Sequence, residues 1–341
     1  MQKAKRVTIK DIAKVAGVSY ATVSRALSGN SEIGEKTREM VLRICDEMGY
    51  TVNYMARSMV TQRTFLLGLI VTHVNNPFMS ELAYYIEMYA RERGYTLMLC
   101  NSAHDIDFEK KVFELLLGRQ VDGLIIAPSD SNSYQHLKPY LSKVPTVFVG
   151  ENLRDLPESY VTVDNFRGTY IGTEYLHSLG HRSILYFGYR KGSVTHQLRA
   201  DGYMSACRDL GLEPTVYESG LPFSSVEHGH QMAKQLFQKP RSFTAMFAAA
   251  DSLALGVMGA AEEAGIRIPE DISLMGFDNI TYAGLPRINL ATIEQPQKAI
   301  GSMAVDVLLE KINDASAGYS HKILLPTLIK RGSCRKILPE A

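Results

Sequence analysis

Cysteine is scarce in this chain. Cys45, Cys100, Cys207 and Cys334 are scattered over 341 residues and form no C-x-x-C pair. That argues against a disulfide framework or a zinc knuckle and points to a reducing, cytoplasmic compartment. Long apolar runs are missing too. None approaches the ~20 residues that span a bilayer. The basic start MQKAKRVTIKDIAK has no apolar stretch behind it, so neither a membrane association nor a secretory signal is expected. G-x-x-x-x-G-K-[ST], G-x-S-x-G and H-E-x-x-H are absent, and no G-x-G-x-x-G follows a strand. The nine histidines show no ligand spacing with cysteine or carboxylates. No enzyme chemistry, metal or cofactor is expected. No solenoid repeat or low-complexity tract interrupts the chain, and no a/d heptad closes it, so a coiled-coil tetramer is not expected.

The residues present are those of a globular protein: 45% apolar and 21% charged, enough for two or three domains. The formal net charge of +1 hides an asymmetry. Residues 1–63 carry 11 Lys or Arg against 6 Asp or Glu, a net of +5, and the remainder carries 26 against 30, a net of −4. A basic end on a mildly acidic body fits a phosphate-binding module on a carrier, although a solvated basic face gives the same count.

The segment TIKDIAKVAGVSYATVSRAL, starting at Thr8, contains two short helices around a tight turn. Thr8 is placed to cap the first, with Asp11 completing an acidic capping box. Ile9, Ile12, Ala13 and Ala16 form one apolar stripe. Gly17 stands at the turn, where a positive φ needs no Cβ. Ser19 caps the second helix, whose inner face is Val23, Ala26 and Leu27. Tyr20, Ala21, Ser24 and Arg25 remain on its outward, N-terminal side, with Thr22 beside them. This is a helix-turn-helix, whose second helix enters the major groove. Val41, Ile44, Cys45 and Met48 mark a third, supporting helix that Gly49 stops. The stretch Asn53 to Thr61 is short, basic and apolar. It reads either as an interdomain linker or as a hinge helix that orders on DNA and wedges apolar side chains into the minor groove.

Residues 7–61 resemble the headpiece of the lac-repressor/galactose-repressor family of bacterial transcription regulators. The carriers are TIKDIAKVAGVSYATVSRAL and GEKTREMVLRICDEMGYTVN. The resemblance implies a DNA-binding surface built from Thr8, Ser19, Tyr20, Ala21, Thr22, Ser24, Arg25, Asn53, Arg57 and Met59. Tyr20, Ala21 and Arg25 match its base-reading positions, and Met59 matches the position where most members place an intercalating Leu. Val52 stands where a Pro is usual. Arg25 suits bidentate contact with guanine O6 and N7; Lys5, Arg6, Lys10 and Arg57 are assigned to phosphates or to no contact at all.

From Leu66 onward, apolar β runs alternate with helical stretches: LLGLIV (66–71), YTLMLC (95–100), GLIIAP (123–128), PTVFVG (145–150), RSILYFG (182–188), AMFAA (245–249) and ISLMGF (272–277). Such strands, separated by helices of ten or more residues, imply parallel sheets covered on both faces. The resemblance extends through Ser333. It implies a core like the periplasmic sugar-binding proteins, with two parallel-sheet α/β subdomains joined by crossovers and a ligand between them. The expected layout is a headpiece at 1–53, a hinge at 54–63 and a core at 64–341. Within the core, the first subdomain takes about 64–162 and 292–320, and the second about 163–291 and 321–333.

Ligands of parallel sheets sit beyond the strand C-termini, near free helix amides. Candidate effector contacts are therefore Thr72 and His73 after the first strand, Phe78 in the Asn76-Pro77-Phe78 opening of the next helix, Arg199, Asp251, Asp278 and Gln295. The resemblance singles out Arg199 and Asp278, a charged pair suited to neighbouring hydroxyls. Either could instead form a subdomain salt bridge, Asp251 could simply cap a helix, and His73 could be an ordinary strand-end residue. Ala250, Ser224 and Gly150 depart from familiar members, and Tyr189, Phe223 and Phe78 are available as apolar walls.

The function implied is a homodimeric repressor that binds a near-palindromic double-stranded operator and is controlled by a small, sugar-like effector. Hinge helices pair at the operator centre, and the effector acts on the relative pose of the core subdomains. Two alternatives remain: a global regulator of the same family answering to a phosphorylated partner protein, and a transport-type sugar-binding protein.

Overall fold

The computed structural model describes residues 7–28, 33–50, 63–130, 132–150, 157–220 and 224–337. The chain divides into two compact units, Met1–Thr64 and Phe65–Ala341.

The described residues of the first unit form three helices, α1 (Ile9–Ala16), α2 (Tyr20–Ser28) and α3 (Glu35–Glu47). Thr8 caps α1, and its Oγ1 and backbone amide both meet Asp11 in a capping box. Gly17 takes φ +66° at the end of α1, where its amide and that of Val18 donate to the Ala13 carbonyl. Ser19 Oγ accepts from the Thr22 amide at 3.1 Å and starts α2. Gly49, at φ +61°, ends α3 in a Schellman pattern: its amide donates to Asp46 and that of Tyr50 to Cys45. Ile12, Val23, Ala26, Val41, Ile44 and Cys45 meet in one buried core.

The second unit holds two six-stranded sheets. The first contains β1 (Leu66–Val71), β2 (Thr96–Asn101), β3 (Gly123–Ile126), β4 (Thr146–Val149), β5 (Ser159–Val163) and β11 (His321–Leu324), in the order β11-β5-β4-β3-β1-β2. The second contains β6 (Ile184–Tyr189), β7 (Thr215–Glu218), β8 (Ala245–Ala248), β9 (Ser273–Asp278), β10 (Ala291–Glu294) and β12 (Thr327–Ile329), in the order β12-β10-β9-β8-β6-β7. All pairings are parallel except β10 with β12. Central strands β1, β3, β4, β8 and β9 are buried almost end to end, as sheets covered on both faces require.

Helices α4 (Pro77–Glu92), α5 (Ile106–Gly118) and α6 (Ser133–Leu141) serve the first sheet. The second is served by α7 (Asn165–Ser178), α8 (Val194–Leu210), α9 (Val226–Phe237) and α10 (Asp251–Glu263). Gly229 and Gly256 let α9 and α10 touch backbone to backbone; a Cβ on Gly256 would strike the Val226 carbonyl and the His230 amide. The last helix, α11 (Gln297–Asn313), returns to the first subdomain and packs on α4 and on β3 to β5.

The chain therefore passes between subdomains three times: at Asp164, between β10 and α11, and between β11 and β12. The third passage departs from the expectation that 321–333 belongs to the second subdomain, because β11 pairs with β5 of the first. Likewise Thr292 to Glu294, expected in the first, belong to β10 of the second sheet. Strands β11 and β12 are short and half-exposed, and only Leu325-Pro326 separates them. Hydropathy does not distinguish two such strands, whereas Pro326, which lacks an amide donor, marks where the ladder ends.

Candidate functional site

Two surfaces concentrate the residues that carry chemistry. On the helix-turn-helix, Tyr20, Ala21 and Arg25 are exposed on one side of α2, while Val23 and Ala26 point into the core. Thr22 and Ser24 are half-buried. Thr22 Oγ1 lies 2.9 Å from Ser19 Oγ, so both hydroxyls are engaged in the cap that fixes where α2 begins. Thr8 is engaged in the same way at α1. Asn53, Arg57 and Met59, with all but the last residue of the hinge expected at 54–63, lie outside the described residues, as do Lys5 and Arg6.

The second surface is a cavity of about 120 Å³ between the two sheets of the core. Thr72, Phe78, Arg199, Asp278 and Gln295 line it together. The sheets explain the convergence, since β1, β9 and β10 all end there and α4, α8 and α10 begin there. Asn76 caps α4, its Oδ1 accepting from the amides of Phe78 and Met79. Ser193 caps α8 through the His196 amide. Gly150, Ser224 and Ala250 also line the cavity.

Arg199 is held on every side. Its Nε donates to Asn165 Oδ1 at 2.8 Å and its Nη1 to the Ala249 carbonyl. Nη2 lies 3.5 Å from Asp278 Oδ1, and the guanidinium stacks 3.7 Å from the centre of the Phe277 ring. Gln295 Nε2 donates to Asp278 Oδ1 at 2.6 Å. Burial pushes the Asp278 carboxyl upward, and the Arg199 charge pulls it back. Asp278 sits at φ +126°, a backbone strain held in place by its neighbours.

Asp251 is one of those neighbours, which corrects both readings of it. It lines no part of the cavity, and it is not a cap, because α10 is capped at Ala250 without a side-chain bond. Its buried carboxylate reaches across to β9 and β10 instead. Oδ1 accepts from Thr292 Oγ1 at 2.6 Å, and Oδ2 from the Ile280 amide at 3.0 Å. Asp251 thus braces the turn that presents Asp278. Burial, then the charge of Asp278, raises its carboxyl above the usual range.

His73 does not line the cavity either. It stands beside His104, with ring centres 6.2 Å apart. Tyr189 is likewise outside, its hydroxyl donating to Gln197 Oε1 at 2.6 Å, and Phe223 lies outside the described residues. Several lining residues went unread from sequence: His104, Arg190, Ser193, Thr195 and His196, and behind them Asn165, which orients Arg199. Arg190 and Ser193 follow the strand run ending at 188, so their position beyond a strand C-terminus was the available signal.

Among the described residues, hydrogen bonds cross between the subdomains at and beside this cleft. Asn76 Nδ2 donates to the Ser224 carbonyl at 3.4 Å, Thr195 Oγ1 to the Gly150 carbonyl at 3.0 Å, and the Thr281 amide to Glu81 Oε1 at 2.8 Å. The two subdomains therefore meet around a small, partly open chamber of mixed polar and apolar lining. Among the described residues no group of side chains is arranged to hold a metal ion, and no helix is long and apolar enough to cross a membrane.

Comparison with known proteins places this arrangement. Residues 8–53 match the lacI family of bacterial regulatory proteins, and 173–334 match a periplasmic binding protein-like domain. The chain is 33% identical to the ribose operon repressor of Haemophilus influenzae, over 96% of this chain and 98% of that one. It is also 33% identical to the HTH-type transcriptional repressor PurR of Aliivibrio salmonicida, over 97% and 99%. The crystal structure of the lac repressor dimer bound to operator and an anti-inducer superposes with a TM-score of 0.85 at 29% identity, covering 97% of this chain and all of that one. A helix-turn-helix unit joined to a two-sheet binding core, with relatives matched along nearly their whole length, makes this chain a member of the lacI family of bacterial transcriptional regulators.

Proposed function

We propose that the protein is a cytoplasmic repressor whose homodimer reads a near-palindromic operator and whose core cleft takes a small polyhydroxylated effector. One observation carries the effector reading: Arg199 and Asp278, buried and paired, line a small cleft chamber with Gln295 and Thr72 beside them. Charged groups held this rigidly bind vicinal hydroxyls without further ordering. The chamber is smaller than the ~300–1,000 Å³ of drug-sized sites, which favours a monosaccharide-sized ligand over a disaccharide.

One headpiece makes too few base contacts for specificity against a genome, and two copies double them. Tyr20, Ala21 and Arg25 are the base-reading set, and Met59 the wedge in the hinge. Effector binding changes the pose of the two subdomains, and the coupling to DNA affinity is of order 1–3 kcal/mol. The repressors among its relatives support repression as the output. Regulation of a chromosomal operator requires a protein resident in the cytoplasm.

The test is selection of bound duplexes from random DNA by the purified full chain. An enriched, two-fold symmetric site is expected. No enrichment over random duplex at any ionic strength would overturn the reading.

A further inference from the structure

Glu109 is a carboxylate set wholly inside the first subdomain. It stands on α5, which packs on β1, β2 and α6, and it is fully buried. A buried carboxylate is costly unless donors surround it, and here they do. Its Oε2 accepts from the Ser129 amide and from the Ser129 hydroxyl, each at 2.7 Å. The Ser133 hydroxyl adds a third bond. Burial raises the Glu109 carboxyl, and the bonds from Ser133 and Ser129 lower it again. Every one of these partners donates, so the group serves purely as an acceptor, which an ionised carboxylate does best.

The bonds continue past Ser129. Ser102 Oγ approaches Ser129 Oγ at 2.9 Å and the Val71 carbonyl at 3.3 Å. Since the Ser129 proton goes to Glu109, the shorter of these two contacts takes the Ser102 proton. The chain of donors therefore runs one way, from Ser102 through Ser129 to the carboxylate. The Ser102 amide donates to the Val71 carbonyl at 2.8 Å, and the His104 ring is hydrogen-bonded to the Ser129 backbone. Val71 ends β1, Ser102 directly follows β2, and Ser129 comes shortly after β3. Each lies within two residues of a side chain that lines the effector chamber: Thr72, His104 and Pro128. Glu109 itself lines no part of it.

We propose that Glu109 is a positioning residue of the effector cleft: from behind the chamber it ties together the tips of β1, β2 and β3, and so sets the wall made by Thr72, His104 and Pro128. This rests on the effector reading above. Strand-end loops are the mobile parts of such a sheet, and a wall fixed before the ligand arrives needs less ordering on binding. The action of Glu109 is confined to the first subdomain. On the other side of the chamber, Arg199 and Asp278 are held by bonds of their own, to Asn165 and Gln295.

The experiment compares the full chain with its Glu109→Gln and Ser129→Ala variants. Glu109→Gln keeps the shape and replaces a charge-assisted acceptor by a neutral one; Ser129→Ala keeps the carboxylate and cuts the link to Ser102. Melting temperatures confirm that each is folded. Amide hydrogen exchange, read without ligand, is expected to run about five-fold faster or more in segments 98–104 and 124–130 of either variant, and to stay unchanged in segment 245–254 of the second subdomain. Calorimetry with D-ribose, D-glucose and D-galactose is expected to show the best of the three bound about three-fold or more weakly by both variants. Exchange that rises equally in both subdomains would make Glu109 an ordinary stabilising residue and overturn the proposal, as would unchanged exchange at the strand tips. Faster tips with an unaltered dissociation constant would overturn the positioning role and leave the effector cleft standing. If the unaltered chain takes up none of the three sugars, the monosaccharide reading of the cleft fails and the positioning role falls with it.

Discussion

The Thr195 hydroxyl of one subdomain donates to the Gly150 carbonyl of the other across 3.0 Å. With the Asn76–Ser224 bond at the chamber and the Glu81–Thr281 bond outside it, it ties the two subdomains together. Thr195→Val keeps the shape and deletes the bond, worth about 1 kcal/mol. Any effector that prefers the closed pose is expected to bind roughly five-fold more weakly to this variant. Titration of the tightest ligand from a sugar panel measures it. An unchanged dissociation constant would place the latch elsewhere.

Arg25 is exposed on the outward side of α2. Arg25→Ala is expected to cost ~1–3 kcal/mol of operator affinity and to relax base choice at one position in each half-site. Binding to a set of operators mutated at single positions checks this. Equal loss on all of them would assign Arg25 to a phosphate.

Removing the cation of the buried pair is more damaging. Arg199→Met leaves Asp278 buried without its counter-charge, met by Gln295 and the Asp251 amide alone, and is expected to lower core stability by ~3 kcal/mol, as broken buried pairs do. Effector response should vanish as well. Urea unfolding and ligand-dependent melting report the two effects separately. A variant of full stability would mean that Asp278 is already neutral in the native state.

His181 offers a test of the second subdomain by pH. Its ring nitrogens bond Thr244 Oγ1 and Ser273 Oγ, each at 2.9 Å, and burial lowers it from 6.5 to about 4. A depressed folded value means that its contribution is complete above pH 6.5 and is lost as pH falls towards 4. The contribution is at most about 3 kcal/mol. His181→Gln should flatten the acid slope of unfolding free energy in that window. An unaltered slope would assign the slope to other groups.

Effector occupancy should itself be visible as stability. A ligand present at 100 times its dissociation constant adds ~2.7 kcal/mol, so a melting screen of the full chain with sugars and sugar derivatives is expected to show a clear upward shift for at least one. A flat screen would favour control by a partner protein.

Much of this was legible before the fold was seen, for identifiable reasons. The capping box of Thr8 and Asp11, the turn at Gly17 and the stop at Gly49 are local events, decided by neighbours in sequence. The buried runs of β1, β3, β4, β8 and β9 announce themselves by composition. Strand β7 does not, because its Thr215–Glu218 segment is mostly exposed at a sheet edge. Asp251 was misread because its partners, Ile280 and Thr292, lie about 30 and 40 residues away in sequence. Arg190, His104 and His196 were passed over for the same reason: none stands out alone, and only the meeting of two subdomains brings them to one cavity.

Neither sheet of the core is a continuous stretch of chain. The first waits for β11 and α11, and the second for β12, all beyond residue 296. The helix-turn-helix, by contrast, has its core complete by Tyr50. During synthesis the DNA-reading unit can therefore mature while most of the protein is still being translated, whereas the sensing unit assembles almost at once, when its last strands leave the ribosome. A ribosome that stopped between residues 297 and 326 would release a fragment with the first unit intact and no finished receptor behind it.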